Sequence, residues 1–107
     1  MGIIVIVGYK PKPGQEAALE TLLKTHLPIL QKEGLATDRE AVLMKSKDGT
    51  LLEVFEWVSK EAIEQAHSNP QVQKMWQQYA QVCEYIPLST LDETSDLFAE
   101  FAAIDGE

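Results

Sequence analysis

His67 and a handful of aromatic side chains are the places where this chain could do chemistry. An imidazole titrates near neutral pH, so His67 is able to orient a phenolic hydroxyl or take its proton. The same ring could instead cap a helix joint at Ser68-Asn69. Trp57 offers a flat face to an aromatic ligand, or simply core volume. Trp76 and Tyr79 share a helical stripe, where they wall a ligand or belong to the core. Tyr9 closes an apolar run and either donates a hydrogen bond into the same space or sits half-buried at a strand end. The candidate site is therefore His67, with Trp57, Trp76, Tyr9 and Tyr79 around a substrate. His26 falls on the core side of a helix, where hydrogen bonding suits it better than ligation. Glu53 and Glu56 point to opposite faces of one strand. One of them should reach a cavity or an interface, because a buried carboxylate needs partners; a paired carboxylate at an interface is the plainer account. Cys83 lies on an apolar stripe with no basic neighbour and reads as packing. The chain shows no Gly-rich phosphate loop, no metal-ligand spacing and no Ser-His-Asp arrangement, so no metal is expected.

The elements that must position these residues follow from periodicity. Ile3 to Val7 is five consecutive aliphatics, the mark of a strand covered on both faces. Pro11, Pro13 and Gly14 stop it. From Gln15, Leu19, Leu22, Leu23, His26, Leu27 and Leu30 keep helical spacing. Gly34 ends that helix, and Pro28 inside it should bend it. Thr37 to Val58 reads as a hairpin about Asp48-Gly49, the preferred pair of a type I′ turn. That turn pairs Lys47 with Thr50, Lys45 with Leu52, Leu43 with Val54 and Ala41 with Glu56. Ser59 caps a helix to about Ser68, and Asn69-Pro70 opens another. Val72, Met75, Trp76, Tyr79 and Cys83 form its apolar stripe, and Pro87 ends it. Leu88 to Thr94 reads as a loose turn, and Asp96 to Ile104 as the last strand.

A length of 107 residues suits one domain spanning 1–107. A net charge of −8 argues against nucleic acid or an anionic membrane surface as partner. No apolar run is long enough to span a membrane, and no basic segment precedes the first apolar run as in a signal peptide. One cysteine excludes an internal disulfide and fits a reducing compartment, so a cytoplasmic location is expected.

The order β-α-β-β-α-β is the split βαβ, or ferredoxin-like, α+β unit. Its antiparallel sheet is expected to run 4-1-3-2, with the first and third strands central and parallel to each other. Helices would cover one face only, and the simplest cover for the other is a second copy in a two-fold homodimer.

Within this frame, Trp57-Val58-Ser59-Lys60-Glu61-Ala62, then Ala66-His67, Asn69-Pro70 and Val72, resembles antibiotic-biosynthesis-monooxygenase-type domains. Phe98-Ala99-Glu100-Phe101 suits their last strand. The resemblance implies a dimeric α+β barrel with a ligand cavity between sheet and helices. It includes cofactor-free quinol and polyketide oxygenases, haem-degrading oxygenases and members of no known role. The haem-degrading pattern needs Asn, Trp and His where this chain has Val7, Ala66 or His67, and about Trp76, so that branch is set aside. The resemblance thus implies a monooxygenase that needs no cofactor, acting on a small hydroquinone-like or polyketide-like aromatic. A non-catalytic dimer that binds a small apolar ligand, or serves as an accessory module, is the alternative.

Overall fold

The computed structural model describes residues 2–104. Residues 1 and 105–107 of the expected 1–107 domain lie outside them. The chain runs through β1 (Ile3–Pro11), α1 (Glu16–Lys32), β2 (Val42–Lys45), β3 (Leu51–Trp57), α2 (Lys60–Ala66), α3 (Pro70–Val82), β4 (Cys83–Ile86) and β5 (Ala102–Ala103). The five strands form one sheet in the order β4-β1-β3-β2-β5.

The central strands are antiparallel, not parallel: Ile3 faces Trp57 and Tyr9 faces Leu51. The reason is topological. The α1 crossover lets β2 run the same way as β1, and the β2–β3 hairpin then reverses β3.

The hairpin register also differs from the expected one. Lys45 pairs with Leu51 and Leu43 with Glu53. A type I′ turn needs positive φ at both central residues, but only Gly49 has it, at 92°. The loop is therefore Lys47-Asp48-Gly49, closed by the Ser46 amide on the Thr50 carbonyl at 2.8 Å. One extra loop residue shifts every pair by one and exchanges the faces of β2.

The helices end as their sequences dictate. Gly34, at φ 75°, closes α1. The Leu35 amide reaches the Leu30 carbonyl at 2.9 Å and the Gly34 amide the Gln31 carbonyl at 3.0 Å, a Schellman stop. The Ser59 hydroxyl accepts from the Ala62 amide, and the Asn69 side chain from those of Gln71 and Val72.

The fourth strand is Cys83–Ile86, beside β1. It lies before Pro87, not at Asp96–Ile104. Cys83 continues the α3 stripe, and four residues are too few for alternation to betray a strand. Of the late segment only Ala102 and Ala103 pair, and they pair with β2 at the opposite edge. Leu97 and Phe98 are exposed. The chain after β4 thus crosses the sheet, passing two short 3₁₀ turns.

Helices and sheet close on a core that includes Leu19, Leu23, Leu30, Leu51, Phe55, Val72 and Tyr79. Burying such a side chain contributes roughly 1.5–3 kcal/mol.

Candidate functional site

Alternation along the central strands sends Val5, Val7 and Tyr9 of β1 toward the helices, with Leu51, Glu53, Phe55 and Trp57 of β3 beside them. Helices α1, α2 and α3 bring His26, His67 and Trp76 onto that surface. Between them lies a cavity of about 400 Å³, walled by Val5, Val7, Phe55, Trp57, Ile63 and Trp76. Tyr9, His26, His67, Gln73 and Tyr85 are its polar groups. A larger groove of about 500 Å³ between α1 and α3 is lined by Lys32, Glu33, Lys74 and two glutamines. Ile29 and the buried Met75 complete that lining, whereas the smaller space gathers the imidazoles and the aromatic rings.

A chain of polar contacts runs beneath the cavity. The Tyr9 hydroxyl donates to Glu53 Oε1 at 2.8 Å. His26 Nδ1 lies 2.9 Å from the same oxygen. The Trp76 indole N–H donates to His26 Nε2 at 3.1 Å. An indole nitrogen can only donate, so Nε2 carries the lone pair and the ring proton sits on Nδ1, close to the carboxylate but not aligned with it as a hydrogen bond. Glu53 is fully buried, and its Oε2 has no hydrogen-bond partner among the described residues. A carboxylate taken out of water is costly, and the one aligned hydrogen bond from Tyr9 offsets only part of that cost.

The tyrosines respond to this burial. Desolvation, then the negative charge of Glu53, push the Tyr9 phenol far above the ordinary tyrosine range. Tyr79 is pushed up by the same two causes in the same order. Tyr85, half exposed at the cavity edge, is pushed up to about 12, chiefly by burial. These phenols are donors, not bases.

The five residues singled out from sequence are distributed as follows. Trp57, Trp76, Tyr9 and His67 line the cavity. Tyr79 does not: it is buried behind Tyr9, stacked on that ring at 5.3 Å, and its hydroxyl donates to the Leu22 carbonyl at 2.8 Å. Tyr9 faces the cavity, but its one proton is committed to Glu53. His67 stands at the exposed rim, its ring 5.3 Å from that of Trp76. Its Nδ1 meets the Ile63 carbonyl at 2.9 Å, which leaves Nε2 as the acceptor nitrogen.

Sequence reasoning placed His26 in the core but gave it no part in the site. Its signal was there: a polar ring on the apolar stripe of α1, facing a strand that carries a carboxylate on its inward side. Glu56, on the outer face, pairs with Arg39 and Thr37, and Arg39 first, then Thr37, holds its carboxyl below the usual range.

A ferredoxin-like α+β domain with an aromatic-walled, ligand-sized cavity between sheet and helices is what fold and site define. The family model for antibiotic biosynthesis monooxygenase matches residues 2–78, and the chain belongs to that family. The matched span contains Tyr9, His26, Glu53, Trp57, His67 and Trp76. Among solved structures, Rv0793 from Mycobacterium tuberculosis superimposes with a TM-score of 0.64 at 21% identity, over 80% of this chain and 89% of that one. At that identity the likeness shows the fold. No curated protein matches this chain. Among the described residues no helix is long and apolar enough to cross a membrane.

Proposed function

We propose that this protein is a cofactor-independent monooxygenase of a small hydroquinone-like or polyketide-like aromatic. The observation that supports this reading is the cavity: apolar and aromatic on its walls, with two imidazoles as its basic groups. An apolar cavity of about 150 Å³ holds one benzene ring, so a space near 400 Å³ suits two or three fused rings. Trp57 and Trp76 stack on the ring system, and His67 Nε2 orients a hydroxyl at the rim.

The reaction balances without an outside reductant. A hydroquinone and one O₂ give a hydroxyquinone and one water. The substrate supplies all four electrons, and its phenolate form passes the first of them to oxygen. The protein binds, deprotonates and desolvates it.

A homodimer completes the reading. Ile6, Val54 and Val42 form one row across the sheet face away from the helices. Ile6 and Val42 are about half exposed, at 49% and 53%, and Ile4 beside them at 54%. An apolar row of this kind on a face without helices suits a two-fold contact.

One observation favours the non-catalytic alternative. The Tyr9 proton is held by Glu53 and His26 Nε2 by the Trp76 indole, which leaves His67 Nε2, at the exposed rim, as the free acceptor of an otherwise apolar pocket. Oxygen uptake with one-, two- and three-ring hydroquinones separates the two. The oxygenase reading expects uptake above autoxidation, one O₂ per substrate, largest for the two- and three-ring compounds. Binding of those compounds without uptake leaves the ligand-binding alternative.

A further inference from the structure

We propose that His26, backed by Glu53, is the proton acceptor for a bound phenolic hydroxyl, and that the Trp76 indole is a placeholder that yields His26 Nε2 to the ligand. The proposal rests on the oxygenase reading of the cavity and deepens it.

Three observations carry it. First, His26 lines the cavity although it is only 3% exposed, so the ring is shielded from water but adjacent to the ligand space. Second, its two nitrogens are differentiated: Nδ1 lies 2.9 Å from Glu53 Oε1, within ion-pair distance though not aligned as a hydrogen bond, and Nε2 is an acceptor. That is the arrangement of a general base whose far side is oriented by a carboxylate. Third, Glu53 Oε2 lacks a partner. A buried carboxylate with unspent acceptor capacity is placed to stabilise a positive charge formed next to it.

Proton transfer is then defined at each atom. The ligand O–H bond breaks, its electron pair stays on oxygen as phenolate, and the proton goes to Nε2. The ring becomes imidazolium, with its Nδ1–H on the Glu53 carboxylate. An imidazolium Nε2–H and the Trp76 N–H are both donors and cannot face each other, so the indole must turn away before the transfer. Trp76 is half-buried on the cavity wall, with room on the cavity side. The groups that face His26 are Tyr9 from β1, Glu53 from β3 and Tyr79 from α3. Tyr85 and His67 stand on the wall. The buried phenols keep their protons, so Glu53 supplies the field. His26 touches the reacting hydroxyl and is a catalytic residue; Glu53 acts through it and is a positioning residue.

The test reads ionisation and not turnover. 4-Nitrophenol, whose phenolate is coloured, is bound and titrated, with 4-nitroanisole as a ligand that has no proton to give. In the parent the bound probe should ionise about one pH unit below the free probe, about a tenfold gain in phenolate. Glu53→Gln and His26→Gln should abolish that gain, and 4-nitroanisole binding to each variant checks that the cavity is still formed. Trp76→Phe keeps the wall but removes the competing donor, and should deepen the shift. His67→Gln, which removes the rim group that orients the hydroxyl, should weaken binding of the probe but leave the shift of what binds in place. A shift that survives Glu53→Gln and disappears in His67→Gln overturns the proposal and moves the base to the rim, with the oxygenase reading intact. So does a parent in which the bound probe titrates like the free one while hydroquinones still drive oxygen uptake. If neither probe binds, the proposal and the site reading fall together.

Discussion

At the scale of single residues, Glu53 decides most of what this site is. Tyr9→Phe removes the hydrogen-bond donor from a carboxylate that has no exposure to water, and should destabilise the fold by about 1–3 kcal/mol in urea denaturation. The loss should exceed that of Tyr85→Phe, whose ring is 54% exposed. The tyrosines also set an alkaline limit. All three have folded values raised above their ordinary 10.0, Tyr85 to about 12 and the others further. Below the ordinary value both states hold the proton and the stability is fully present. As pH rises through the interval the unfolded chain loses protons that the folded one keeps, so stability falls. Thermal melting followed with phenolate absorbance should show Tm declining from about pH 10, with the phenolate signal appearing only as the fold is lost. Cys83 belongs to the same set: burial pushes its thiol up to about 11, which makes it packing rather than a nucleophile.

At the scale of elements, capping and turn chemistry do local work that can be checked singly. Ser59→Ala and Asn69→Ala each remove a side-chain acceptor from helix amides, at about 1 kcal/mol apiece by differential denaturation. Gly49→Ala places a Cβ at φ 92°, a left-handed conformation that costs about 1–2 kcal/mol. The hairpin would then relax toward another register, visible as altered amide exchange at Lys45 and Leu51. The turn explains why the register was misread. Asp-Gly fits both a two-residue I′ loop and a three-residue loop with Gly in the left-handed position, and the letters alone do not choose. Ser46 and Thr50 choose, by hydrogen-bonding to Asp48 and to each other across the loop mouth.

At the scale of the whole molecule, the chain after β4 does what a fourth strand was expected to do in part. It crosses from one sheet edge to the other and ends beside β2. Leu52 points away from the helices yet is 1% exposed, and Leu91 of that crossing segment is buried too, at 3%. The neighbouring row of Ile6, Val54 and Val42 stays open. A proposed dimer through that row should be broken by Ile6→Lys, shifting sedimentation from dimer to monomer with the far-UV spectrum retained. A parent that sediments as a monomer at micromolar concentration would remove the dimer from the proposed function.

The sequence by itself determined the alternation of elements, their caps and the apolar stripes, because those depend on neighbours within a few residues. It also carried the family, through the run from Trp57 to Val72. It could not show that Tyr9, His26, Glu53 and Trp76 converge, since the members come from β1, α1, β3 and α3 and as many as 67 positions separate them. Nor could it place the last strand, where four residues after a helix pair with β1 only because that edge is vacant there. Local physics writes the elements; which polar groups share one buried space is decided only when the sheet and helices close over them.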